Sequence, residues 1–134
     1  MFGQENADED IELKVEDLNK MGALKLRMVA KRALFEKEYY TAQEALELLQ
    51  DKQKASISDE IALADIYIKV RDYSKAIEQL DAVYFMDETN LEVLLKLGQA
   101  YKHIGKYETA EGYLERFKRE AGTGSSVFRR NAKL

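Results

Sequence analysis

The 134-residue chain has no cysteine, no proline and no tryptophan, one histidine and seven glycines. Without cysteine it can build neither a disulfide framework nor a thiolate zinc site, which fits a reducing compartment. Without proline, and with Leu, Ala, Lys and Glu dominant, helix is favoured along the whole length. No stretch approaches the roughly 18 apolar residues that a membrane span needs. The opening MFGQENADED is acidic and lacks the hydrophobic core of a secretory leader. The expectation is a soluble, cytoplasmic protein of one domain, long enough to bury a core unaided. A net charge of −4 is not the basic footprint of a nucleic-acid binder, so neither nucleic acid nor membrane is an expected partner.

The means for catalysis are missing as well. The chain holds no Gly-x-Ser-x-Gly elbow, phosphate loop or zinc motif. His103 would be a lone base without an orienting partner, and the many carboxylates read as solvated helix faces. A catalyst needs nucleophile, base and orienter placed together. The reading is therefore of a protein that is not an enzyme and uses no cofactor or metal.

What the chain does have is a 34-residue period. Tyr39, Tyr73 and Tyr107 recur at that spacing, as do Ala42, Ala76 and Ala110, and Leu46, Leu80 and Leu114. Upstream, Val29, Leu63 and Leu97 share it, together with Ala30, Ala64 and Gly98. A period of this length means stacked supersecondary units, none of which can bury its apolar face alone. Within the third unit, Leu94, Leu97, Gly98 and Tyr101 lie at i, i+3, i+4 and i+7, one face of a helix. Gly105 suits the left-handed cap that ends it. Tyr107, Ala110, Leu114 and Phe117 form the stripe of a second helix. The second unit copies this pattern with Leu63, Ala64 and Tyr67, then Tyr73, Ala76, Leu80 and Val83. Ser56 and Asn90 precede first helices and suit N-caps. Small residues at 30, 64 and 98 should let paired backbones approach closely.

Residues 27–46, 61–80 and 95–114, the last reading LKLGQAYKHIGKYETAEGYL, resemble the tetratricopeptide-repeat family. The family's tryptophan is absent, and Lys54, Glu88 and Gly122 stand where it carries an inter-repeat proline. The resemblance implies an all-α superhelix of three helical hairpins, at 23–56, 57–90 and 91–122. An acidic segment, 1–22, precedes them; Ile11, Val15 and Leu18 there predict an amphipathic capping helix over 8–21. Residues 123–134 read as a flexible basic tail. Without a rear cap, Tyr113 and Phe117 are expected to be exposed, as an oligomer or partner surface.

In this family the first helix of each repeat lines a concave groove. Carried onto this chain, the groove positions are Arg27, Lys31, Leu34 and Phe35, then Ile61, Asp65, Ile68 and Lys69, and finally Glu92, Leu95, Lys96, Gln99, Lys102 and His103. Bases outnumber acids among them, which suits a peptide or helix with acidic and apolar residues. The asparagines of the carboxylate clamp found in chaperone-binding repeats are missing, with Ala62 and Glu92 among the matching positions. The expected function is a protein-binding adaptor or chaperone. A weaker resemblance is to the chaperones of type III secretion translocators. The alternative is a scaffold assembling through its last repeat, helped by opposite charge at its two ends, since residues 1–22 carry net −5 and residues 118–134 net +4. The acids of residues 5–10 could compete for the groove. The closing Ala-Lys-Leu is similar to a peroxisomal address, with chance coincidence as the simpler explanation.

Overall fold

A computed structural model describes the backbone of residues 18–133 and the side chains of residues 18–122. Among the described residues the secondary structure is helical, without strands. A 3₁₀ turn, Leu18–Lys20, leads into α1 (Ala23–Phe35), α2 (Tyr39–Asp51), α3 (Ile57–Lys69), α4 (Tyr73–Met86), α5 (Leu91–His103) and α6 (Tyr107–Lys133). First helices begin at 23, 57 and 91 and second helices at 39, 73 and 107, so the helix starts repeat every 34 residues. The tyrosines that carry the period in the sequence each open a second helix. No described helix is long and apolar enough to cross a membrane.

The turns inside the pairs share one backbone solution. Lys37, Arg71 and Gly105 all adopt the left-handed region, with φ of 60°, 66° and 82°. The residue after each donates its N–H back into the preceding helix: Glu38 to the Ala33 carbonyl, Asp72 to that of Tyr67 and Lys106 to that of Tyr101. These bonds satisfy carbonyls that the helix end would leave orphaned. The sequence pointed to Gly105 alone, because only there does glycine mark the conformation. Elsewhere a lysine and an arginine accept it, each at a steric cost.

The contacts divide the chain into two compact units, with the division between Ile66 and Tyr67, within α3. A repeat array makes mostly near-neighbour contacts, so such a division follows from its construction. In the first unit, Leu26, Ala30 and Ala33 of α1 are buried with Ala42, Ala45, Leu46 and Leu49 of α2. Leu18 is 1% exposed, and the 3₁₀ turn that holds it packs on α2. Lys52 fixes this entry by donating to the Asn19 and Met21 carbonyls at 2.8 and 3.1 Å. Of the predicted capping helix, residues 8–17 lie outside the described residues.

In the second unit α5 packs on both α4 and α6. Gly98 meets α6: a Cβ there would lie 2.6 Å from Leu114 Cδ2 and 2.7 Å from its Cγ. Tyr101, one turn on, stacks on Tyr113 at 5.5 Å. Val93, Leu97 and Ala100, all fully buried, form the other stripe of α5, and His103 at its end stacks on Tyr73 of α4 at 5.0 Å. Helix α6 does not stop at Gly122, where the sequence reading ended the third repeat and began a flexible tail, but runs on to Lys133. Glycine weakens a helix by about 1 kcal/mol without terminating it, and no proline intervenes.

Two stability measurements check this packing by urea unfolding. Arg71→Gly is expected to raise stability by up to about 1 kcal/mol, because relief of the left-handed strain outweighs the added freedom of the unfolded chain. Gly98→Ala should lower it by about 1 kcal/mol, overpacking against Leu114 exceeding the gain in helix propensity. In a Leu114→Ala background the same change should become stabilising, a reversal of sign that additive effects cannot produce.

Candidate functional site

Helix α1 carries Lys25, Arg27, Lys31 and Arg32 and no acid. Its buried stripe, Leu26, Ala30 and Ala33, faces the core of the first unit. On the opposite side, Leu24, Met28 and Phe35 are 72%, 62% and 89% exposed, with exposed Lys31 between them. Positions 24, 28, 31 and 35 follow i, i+4, i+7 and i+11, so they form one line along the helix. The sequence reading included Lys31 and Phe35 but missed Leu24 and Met28. Their i, i+4 spacing was legible; that they stay in water was not.

Arg27, an expected groove cation, is committed within the chain. Its Nε donates to Asp59 Oδ2 at 2.8 Å and its Nη2 to the Lys54 carbonyl at 2.7 Å. Asp59 in turn accepts the Ser56 N–H at 2.8 Å, while the Ser56 hydroxyl accepts the Asp59 N–H at 3.1 Å. This is the reciprocal capping box at the start of α3, and Arg27 ties it to α1. Burial alone would raise the Asp59 carboxyl. The Ser56 N–H, the Arg27 guanidinium and the Ser56 hydroxyl together overcome that and hold it below its ordinary 3.8.

The other expected groove residues of the first unit differ in access. Lys31 is exposed and Leu34 and Asp65 are half-buried, but Ile61 is only 8% exposed. Ile61 was expected as an apolar groove contact; it belongs to the core instead, because its stripe on α3 also carries Ala64. In the second unit Ile68, Leu95 and Lys96 are half-buried, and Lys69, Gln99, Lys102 and His103 are exposed. Lys96 pairs with Glu92 at 3.6 Å across one turn of α5. Gln99, Lys102 and His103 line, with Tyr107, an open hollow of about 570 Å³. His103 lies flat on Tyr73, with 10° between the ring planes. Among the described residues no group of three acids or histidines is placed to hold a metal.

Tyr113 and Phe117, expected as an exposed end, are both half-buried. Tyr113 is covered by its stack on Tyr101, and burial, assisted by the Asp81 carboxylate, raises both tyrosine hydroxyls above their ordinary value. Nearby on the same helix, Arg116 lies over the Tyr84 ring at 5.1 Å.

No model of a known protein family matches the chain. Solved structures do. The TPR2B domain of yeast Sti1, determined as a pHsp70 complex, aligns over 82% of this chain and 90% of its own at 15% identity, with a TM-score of 0.67. The fold is the tetratricopeptide-repeat fold. The Arabidopsis OM64 TPR domain shares it at 13% identity, covering 84% of this chain and 98% of its own, TM-score 0.66. MamA aligns at 18% identity over 88% of this chain and 74% of its own, TM-score 0.73. At such identities the likeness is one of backbone course, which the 34-residue ladder of helix starts expresses directly.

The Arg27–Asp59 pair generates a pH prediction. A carboxyl held below its ordinary value contributes stability that is present above 3.8 and lost as pH falls through the lowered folded value. Asp59→Asn should therefore cost about 1–2 kcal/mol at pH 7. The difference from the parent chain should close under acid, as read from urea midpoints between pH 7 and pH 2.

Proposed function

We propose that this chain is a non-catalytic protein-interaction module whose first helix holds an acidic, apolar segment of a partner polypeptide. The exposed line of Leu24, Met28 and Phe35 carries this reading. Each such side chain forgoes about 1.5–3 kcal/mol by remaining in water, and covering three together is the driving force available to a ligand. The basic residues of α1 choose among ligands: Lys31 stands on the line, and Lys25 and Arg32 flank it. Apolar anchors spaced one turn apart and ringed by cations suit an amphipathic helix with acids beside its apolar face. The yeast Sti1 neighbour, solved as a pHsp70 complex, supports a polypeptide ligand for this fold. The ligand class differs from a clamped C-terminal carboxylate, since Ala62 and Glu92 occupy clamp positions.

In the second unit, Lys102, with His103 beside it, offers a smaller polar surface, which we assign a secondary part in the same adaptor role. The scaffold alternative drew on an exposed Tyr113 and Phe117. Their half-burial makes α1 the preferred binding face. A chain without cysteine suits cytoplasmic work.

A direct test uses two labelled peptides of equal helicity, with leucines at i, i+4 and i+7 flanked by glutamates in one and by lysines in the other. Fluorescence anisotropy should show the glutamate peptide binding more tightly, with an affinity that falls as salt rises. Met28→Glu/Phe35→Glu should weaken it at least tenfold at unchanged circular dichroism. Equal binding of both peptides, or full binding by the double variant, would refute the assignment.

A further inference from the structure

We infer that residues 1–17 of this chain are themselves a ligand for the α1 line and compete there with any partner, an inference that rests on the binding face just proposed. Three observations converge on this occupant. First, the charges complement each other: residues 1–17 contain seven acids and one base, and α1, with Arg27 committed to Asp59, still presents Lys25, Lys31 and Arg32 to solvent and no acid of its own. Second, the apolar spacing fits. Ile11 and Val15 stand at i and i+4 among those acids, the same spacing as Leu24 and Met28 on α1.

Third, the point of attachment is beside the site. Leu18 is buried, and Lys52 holds the carbonyls of Asn19 and Met21, so the chain enters the first hairpin at a fixed place. A hollow of about 420 Å³ opens there, lined by Lys20, Met21, Gly22, Leu24 and Lys25. It joins the entry turn to the first apolar side chain of the line. A segment tethered this closely acts at an effective concentration on the order of millimolar, so even weak intrinsic affinity populates the bound form. A partner must displace it. Partners carrying more acids or better anchors than residues 1–17 are selected, and weak ones are excluded. High salt or neutralisation of the acids frees the face.

The chain has no tryptophan, so Phe35→Trp places a single reporter on the line within the full chain. The comparison is with the same reporter combined with Asp8→Lys, Glu9→Lys, Asp10→Lys and Glu12→Lys. Occupation predicts blue-shifted emission in the first protein, a shift to longer wavelength in the second, and at least tenfold tighter binding of the glutamate peptide by the second. Emission unchanged by the reversals, with equal peptide affinity for both proteins, would overturn the internal ligand and leave the binding face standing. No peptide binding by either protein would overturn both. A blue shift that vanishes on dilution would assign the occupant to a second copy and overturn occupation from within the chain.

Discussion

Close approach of paired helices is the constraint on which the rest of this structure depends. It is secured by small residues at fixed intervals: Ala30, Ala64 and Gly98 in first helices, Ala42, Ala76 and Ala110 in second ones, all buried. At Gly98 the backbone lies so near Leu114 that no methyl group fits without movement. Larger side chains then fill the flanks, Leu26 and Leu49 in the first unit, Leu80, Leu94 and Leu97 in the second. The left-handed turns at Lys37, Arg71 and Gly105 follow from the same demand. A three-residue link between helices this close has few backbone solutions, and the chain uses one of them three times, twice against the preference of the side chain.

Charge is organised around this frame rather than contributing much to it. Among the ion pairs, Arg32–Glu36, Lys96–Glu92 and Arg116–Glu120 span single helical turns and contribute a few tenths of a kcal/mol each. Arg27–Asp59 is different in kind. It joins two helices through a capping box and withdraws one cation from α1 into the architecture. The remaining bases of that helix stay in solvent beside Leu24, Met28 and Phe35. In the binding reading proposed above, structural and recognition electrostatics are thus divided between neighbouring residues of a single helix.

The histidine illustrates how context disposes of chemistry. In the sequence His103 is the one histidine. In the fold it stacks on Tyr73 and lines an open hollow with Gln99, Lys102 and Tyr107. Its ring is thereby held flat against a neighbouring helix, with one edge left toward solvent.

Helix type, order and register were legible from the sequence because they depend on local spacing. The 34-residue recurrence of tyrosine, alanine and leucine marks where each helix lies, and Ser56 and Asn90 mark where two of them begin. Accessibility could not be read in this way, because it depends on which side of a helix the neighbouring helix covers. Ile61, set by family position in a groove, is core. Tyr113 and Phe117, set at a bare end, are half-buried, Tyr113 under its stack with Tyr101. Arg27 is bound to an aspartate 32 positions away. Leu24 and Met28, whose spacing resembles that of any buried stripe, remain in water. Periodicity specifies a face, but only the tertiary partner decides whether that face becomes interior or binding surface, since burial is a property of two elements and a sequence pattern describes one.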